Sequence, residues 1–212
     1  MLLGDKGGGI LYRKWVAGKP KACVILIHGL GAHSARWEAF GDFLVWNNIS
    51  SYAIELEGFG ETKGPRGHVD SMKVYLDSVC TLRDIIEREN PGKKVFLIGE
   101  SMGGLIAWGL SVGYPHLFDG LVAISPAFLS KLKFSLLDYL RIALLLIVNP
   151  KKKIDMPFNS RMCTRDGMIR RILDADKREY RVASAKLLFN LGVAQLKCAL
   201  SVKKRLKIPA LF

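Results

Sequence analysis

The sequence has few cysteines and no spacing of cysteine and histidine that is typical of a metal site. Cys23, Cys80, Cys163 and Cys198 are far apart, and no Cys-x-x-Cys pair occurs in the 212 residues. This pattern argues against a zinc site and a secreted disulfide framework. The opening residues, MLLGDKGGG, lack the basic start and the apolar run of an export signal. We therefore expect a cytoplasmic protein with reduced thiols, and neither a metal nor a cofactor.

Long hydrophobic runs are also missing. The most apolar stretch, residues 134–148 (FSLLDYLRIALLLIV), includes Asp138 and Arg141, and it is shorter than the roughly 20 apolar residues that a membrane-spanning helix needs. Two interpretations stay open: a buried helix, or an apolar surface that meets lipid or lines an acyl pocket. The basic run of residues 151–153 favours lipid slightly, because basic residues beside an apolar face suit an anionic bilayer interface.

Nucleotide-binding motifs are absent as well. Gly29 and Gly31 would begin a dinucleotide-binding loop, but Ser34 occupies the place of its third glycine, and no Walker loop occurs. The net charge is +13, and its distribution is uneven: residues 1–126 contain 13 basic and 13 acidic residues, whereas residues 127–212 contain 19 and 6. This asymmetry predicts an anionic partner for the second part only. Without a nucleic-acid recognition motif, we expect a membrane surface and no nucleic acid.

The chain is half hydrophobic and a quarter charged, which suits one domain with a modest insertion. In its first 126 residues, short apolar runs alternate with longer amphipathic stretches, and this alternation predicts a mostly parallel sheet flanked by helices, an α/β fold. The predicted strands are residues 11–16, 23–27, 52–56, 95–98 and 121–124. The predicted helices are residues 35–46, 72–88 and 102–112.

After Pro126 the signals become helical, over residues 134–148, 166–174 and 183–202, until residues 208–212 (IPALF) read as one more strand. We therefore predict a core over residues 1–126, a helical cap insertion over residues 127–206, and the start of the next core strand over residues 207–212.

The pentapeptide GESMG contains the strongest chemical motif, a Gly-x-Ser-x-Gly nucleophile elbow centred on Ser101. A predicted strand leads into it and a predicted helix begins at Met102, which is the setting that the motif requires. Gly99 and Gly103 allow the sharp turn that projects a serine hydroxyl above the sheet. The positive end of the helix dipole points at the same place.

A second glycine-rich turn, His28-Gly29-Leu30-Gly31, follows the strand of residues 23–27. In this arrangement the backbone amides of Leu30 and Met102 would hold the negative oxygen of a tetrahedral intermediate. The predicted site is therefore a serine nucleophile with two oxyanion donors.

Four segments together resemble the monoacylglycerol lipase and lysophospholipase branch of the α/β-hydrolase superfamily: HGLGAHSARW, GPRGHVDS, GESMGG and AISPA. Residues 164–191 resemble the cap of that branch. The resemblance implies that Ser101 attacks an ester carbonyl and forms an acyl-enzyme that water hydrolyses. One departure is GFGET at residues 58–62, where relatives more often carry Gly-His-Gly-x-Ser in a structural turn.

The resemblance also implies a triad in the chain order Ser, Asp, His, with the acid after the strand that begins at Ile208 and the histidine after the next strand. Neither position exists in the 212 residues, and we expect His28, His33, His68 and His116 to be structural. Without a base a serine hydroxyl is a poor nucleophile. We therefore expect an incomplete version of a longer hydrolase.

The expected activity is hydrolysis of carboxylic esters of single-chain glycerolipids, with the basic cap in peripheral contact with an anionic membrane. Short-acyl esterases, peptidases and acyltransferases share the elbow and stay open. The alternative from another class is a catalytically incomplete protein that binds a lipid or a partner in the same pocket.

Overall fold

The central feature of the computed structural model is a twisted sheet. The structure describes residues 2–4 (backbone only), 9–129, 135–201 and 206–212. Seven of the strands found there form this sheet: β1 (Leu2–Gly4), β2 (Leu11–Trp15), β3 (Ala22–Ile27), β4 (Ile49–Glu55), β5 (Val95–Glu100), β6 (Gly120–Ile124) and β9 (Ala210–Leu211). Their order is β1-β2-β4-β3-β5-β6-β9.

Five of these strands, from β4 across to β9, run parallel, whereas β1 and β2 are antiparallel additions at one edge. The prediction of a mostly parallel sheet is therefore confirmed. Strand β4 begins three residues before the predicted Tyr52, at Ile49. At the other edge of the sheet, β9 is shorter than predicted and pairs with Leu121 and Val122 of β6.

Helices cover both faces of the sheet: α1 (Glu38–Trp46), α2 (Met72–Glu89) and α3 (Met102–Gly113), with a short 3-10 helix (Ser34–Trp37) before α1. The β3 sequence is apolar throughout because alternate side chains enter different cores. Ile25 and Ile27 pack with side chains of α2 and α3. Val24 and Leu26 lie in the smaller cluster that includes Leu44 of α1.

The chain between β6 and β9 is mainly helical, as predicted, with α4 (Leu136–Val148), α5 (Ser160–Cys163), α6 (Gly167–Ala175) and α7 (Ala185–Ser201). Residues 134 and 202, the first and last of two predicted helices, lie outside the described residues. Helix α7 packs against α2 and α3, and Trp108 Nε1 donates a hydrogen bond to Ser201 Oγ at 3.0 Å. The division into core and cap stays a prediction.

One expectation about this region is wrong, because strands are present within it. β7 (Lys153–Asp155) and β8 (Val182–Ser184) form a separate antiparallel pair. Residues 182–184 therefore belong to a strand and not to the helix predicted from residue 183. Each strand has three residues, too few to show a periodic pattern.

Two possible features are not found in the described part of the chain. No helix there has both the length and the apolar character needed to cross a bilayer. The same residues contain no group of three or more histidine, cysteine or acidic side chains arranged to hold a metal ion.

Candidate active site

Ser101 lies at the turn between β5 and α3, and its backbone has a conformation that is unusual for a residue with a side chain. Its φ is 54° and its ψ is −114°. The turn is tied to the neighbouring strand, since the Ser101 N–H donates to Ile124 O at 3.0 Å and the Ala127 N–H donates to Ser101 O at 2.9 Å. Strained backbone of this kind costs about 1–3 kcal/mol and persists only where the surroundings impose it.

The glycines of the motif are needed because other backbone approaches them closely. A Cβ added to Gly103 would lie 2.1 Å from Ile27 O, and one added to Gly99 would lie 2.3 Å from Gly103 O. These contacts bring the start of α3 against the carboxyl end of β3. Close packing of helix and strand therefore fixes the direction in which the Ser101 side chain leaves the turn.

Ser101 is partly exposed, and its hydroxyl does not cap the helix that follows it. The glycine-rich turn after β3 lies beside it, because a Cβ added to Gly29 would be 3.2 Å from Ser101 Cβ and 3.8 Å from Ser101 Oγ. The structure therefore brings together the two turns that the sequence singled out.

His28 fixes this second turn from inside the core. Its ring is fully buried, its Nε2 accepts a hydrogen bond from the Leu56 N–H at 3.1 Å, and its Nδ1 lies 2.8 Å from Gly29 O. The proton is therefore on Nδ1. Burial lowers the pKa of His28 to about 3, so the ring is neutral at physiological pH and is a structural element of the turn.

The backbone amides of Leu30 and Met102 are the two donors that the sequence predicts for an oxyanion. Met102 is the first residue of α3, where an N–H has no acceptor within its own helix. Neither amide donates a hydrogen bond to another group within the described ranges. Two free donors on turns that meet at Ser101 are the arrangement expected for binding an oxyanion.

The other histidines are occupied elsewhere or exposed. His33 is buried, its Nε2 lies 3.1 Å from Asp176 Oδ2, and burial lowers its pKa to about 4. His68 Nδ1 lies 2.8 Å from Ser184 Oγ, and its Nε2 lies 3.1 Å from Asp70 Oδ1. His116 is exposed. None of the histidines hydrogen-bonds Ser101 in the part of the chain that the structure describes.

Sequence reasoning missed the polar contacts behind the glycine-rich turn. Ser34 donates a hydrogen bond from its hydroxyl to the buried carboxylate of Glu55, and burial raises the pKa of Glu55. Asp176 and Glu179, between α6 and α7, reach His33 and Arg36 of the same loop. A charged residue at the end of an apolar strand was the one available signal for Glu55. The contacts of Asp176 and Glu179 join distant parts of the chain and have no local signal.

Several known proteins are similar to this chain in sequence. A sequence model of the family described as serine aminopeptidase, S33, matches residues 18–212. Human monoglyceride lipase is 35% identical over 130 residues, which cover 61% of this chain and 43% of that protein. Phospholipase YtpA of Bacillus subtilis is 28% identical over 169 residues, covering 78% of this chain and 62% of that one. The chain thus aligns with less than half of the human relative.

Solved structures show the same fold. The monoacylglycerol lipase of Paleococcus ferrophilus superposes with a TM-score of 0.83 at 24% identity, covering 95% of this chain and 75% of that one. A soluble variant of the Saccharomyces cerevisiae monoglyceride lipase has a TM-score of 0.81 at 19% identity, covering 99% and 74%. With the elbow, the sheet order and the family match in agreement, the chain belongs to the serine aminopeptidase S33 family of α/β-hydrolases.

Proposed function

We propose that this chain provides the nucleophile and the oxyanion site of a serine hydrolase that cleaves carboxylic esters of single-chain glycerolipids. The observation that carries the proposal is the strained backbone of Ser101 beside the Gly29 turn. A functional reason for that strain is a hydroxyl held above the sheet, next to free amides. The names of the relatives, monoglyceride lipase and phospholipase, support the substrate class.

In the proposed reaction, Ser101 Oγ forms a bond to the ester carbonyl carbon and loses its proton to a base. The carbonyl oxygen becomes negative and accepts hydrogen bonds from the amides of Leu30 and Met102. The carbon–oxygen bond to the glycerol then breaks, and the proton passes to the departing alcohol. Water then attacks the acyl carbon and loses a proton to the base, the bond to Ser101 Oγ breaks, and Oγ takes that proton as the fatty acid leaves.

The four histidines of this chain do not suit the role of the base. Both ring nitrogens of His28 and of His68 already have partners, and His33 faces Asp176. In α/β-hydrolases the acid and the histidine follow the nucleophile along the chain. His116 is exposed. We therefore assign the base to none of the four histidines.

Helix α4 supports peripheral contact with a membrane as part of the proposal. None of its 13 residues is buried, and its exposed apolar side chains include Leu140, Leu144 and Ile147, at 59%, 62% and 85% exposure. The basic residues 151–153 follow directly. An apolar helix beside positive charge suits the interface of an anionic bilayer, where a glycerolipid substrate would be collected.

The proposal is tested with a fluorophosphonate probe and a monoacylglycerol, using the protein as its gene encodes it. We expect labelling and release of fatty acid, and the loss of both in Ser101→Ala. Cys163→Ala is the matched control, because Cys163 has an exposed thiol on α5. Its loss should change neither the labelling nor the release of fatty acid. Hydrolysis that persists in Ser101→Ala would remove Ser101 from the mechanism.

The second candidate is a protein that binds a lipid without cleaving it. The observation that favours it is the absence of a histidine bonded to Ser101 within the described ranges. Tight binding of a monoacylglycerol by a protein that neither hydrolyses it nor reacts with the probe would favour this candidate over the hydrolase.

A further inference from the structure

The turn that contains Leu30 is held on its inner side by the core. His28 bonds to the Leu56 amide below the turn, and the carboxylate of Glu55 accepts hydrogen bonds from the side chain and the backbone of Ser34. These contacts fix residues 28 and 34, the two ends of the loop. Residues 29–33 between them take their outer contacts from another part of the chain.

That outer part is the strap, which we define as residues 176–184, between α6 and α7. The Tyr180 N–H donates to Gly31 O at 2.8 Å. His33 Nε2 lies 3.1 Å from Asp176 Oδ2. Arg36 Nε lies 3.4 Å from Glu179 Oε1. The strap therefore contacts Gly31 and His33 of the loop and Arg36, two residues beyond its end.

The strap packs closely on the loop at Gly31. Gly31 has φ +82°, and a Cβ there would be 3.2 Å from Tyr180 O and 3.5 Å from Phe158 Cζ. The Gly31 carbonyl also accepts the Tyr180 hydrogen bond. Because Gly31 directly follows Leu30, the strap contacts the chain one residue away from the proposed oxyanion donor.

The side chains of His33 and Glu179 in these polar contacts are shielded from water. The side chains of His33 and Glu179 are 3% and 8% exposed. Arg178 donates to both oxygens of Asp176, at 2.9 and 2.7 Å, and so fixes the carboxylate that faces His33. Removing one partner from a buried polar network leaves the other without compensation, and the segment must rearrange.

We propose that Asp176 and Glu179 are positioning residues for the oxyanion site, which hold the Leu30 amide in its active direction through His33 and Arg36. The inference rests on the proposed function, because it gives these residues an effect on catalysis at Ser101. Neither carboxylate touches the substrate in this account. Both act on the loop that supplies one of the two amides.

The test compares two double variants. Asp176→Ala/Glu179→Ala removes both acceptors, whereas Asp176→Asn/Glu179→Gln keeps an oxygen at each place. Since loss of one oxyanion donor lowers kcat by 10²–10³-fold, a misdirected donor should lower it by about tenfold or more in the alanine pair. We expect KM to change by less than about twofold, because ground-state binding does not depend on this donor. The amide pair should recover part of kcat.

The ratio of the hydrolysis rates of an ester and its matching thionoester is a second measurement, and a purely structural role of the two carboxylates would not change it. Sulfur is a weaker and larger acceptor, so the preference for the oxygen ester reports the fit of the oxyanion donors. We expect this preference to fall in the alanine pair. Asp84→Ala is the control, since Asp84 is an exposed carboxylate of α2 and should leave kcat, KM and the preference unchanged.

Thermal unfolding of each variant separates positioning from folding. If the alanine pair does not fold, the amide pair decides: a lowered kcat with an unchanged melting temperature supports the proposal. Unchanged kcat and unchanged ester preference in folded variants, with Ser101→Ala inactive, would overturn the strap's role and leave the proposed function intact. Activity in Ser101→Ala would instead refute the function on which the inference rests.

Discussion

Ser101 combines two properties that the surroundings must both support, a strained backbone and an uncommitted hydroxyl. The φ of 54° is maintained by a hydrogen bond from the Ser101 N–H to Ile124 O of β6, by a hydrogen bond from the Ala127 N–H to Ser101 O, and by the close approach of α3. Strain at such a position is stored at the expense of stability. The folded protein is therefore expected to become more stable when Ser101 is replaced by a residue that adopts this backbone conformation without strain.

Replacing Ser101 with glycine should increase the free energy of unfolding relative to Ser101→Ala. Glycine adopts positive φ without a clash of its Cβ, whereas alanine keeps the strain, so we expect a difference of about 1 kcal/mol. Urea unfolding of the two variants measures it. Equal stabilities would indicate that the turn is not strained.

The nucleophile was predictable from the local sequence, but the residues that support the neighbouring turn were not. Ser101 lies in a five-residue motif with glycines at fixed places, and short-range sterics require those glycines. Asp176 is far from His33 in the sequence, and their contact depends on how α6 is placed. A charged residue near the end of a helix is usually exposed to solvent. The local sequence therefore does not indicate that Asp176 contacts His33.

Helix α3 contains a natural comparison between two glycines. A Cβ added to Gly103 would lie 2.1 Å from Ile27 O. Among the described residues outside its own helix, the one atom within 4 Å of a Cβ added to Gly109 would be Leu76 Cδ2, at 3.7 Å. The same substitution should therefore have opposite effects at the two positions.

We expect Gly103→Ala to destabilise the protein by about 1–3 kcal/mol, because the new methyl overlaps backbone that cannot move alone. Gly109→Ala should stabilise it by about 0.5–1 kcal/mol, since alanine is the better helix former. Chemical denaturation of both variants tests this. A stabilising Gly103→Ala would contradict the close packing of α3 on β3.

The elements that the sequence predicted best are those with strong local signals. β3, β5 and β6 are apolar runs that end at glycine or polar turns, and they were located to within two residues. β7 and β8 were missed because each has three residues and pairs only with the other. Their partner, and not their composition, makes them strands.

At the scale of the whole molecule, positive charge and exposed apolar surface occur in the same part of the chain. Residues 127–212 carry 19 basic and 6 acidic residues, and α4 in that part exposes most of its apolar side chains. The charge asymmetry was readable from the sequence. The exposure of α4 was not, because an apolar helix is equally compatible with a buried position.

Vesicle sedimentation tests this surface. We expect the double variant Leu144→Glu/Ile147→Glu to bind vesicles containing phosphatidylserine about tenfold more weakly or worse, because burying each side chain contributes about 1.5–3 kcal/mol. Added salt should weaken the binding of the unchanged protein. Phe43→Glu is the control, as Phe43 is similarly exposed on α1. Equal binding by all variants would exclude α4 as the contact.

The most direct measurement of the central claim is the site of covalent modification by a fluorophosphonate, determined by peptide mass spectrometry on the protein as its gene encodes it. We expect a single phosphonate on Ser101, formed at a rate that a bound monoacylglycerol suppresses. A probe attached to any other residue, or an unmodified Ser101 in protein that hydrolyses the ester, would contradict it.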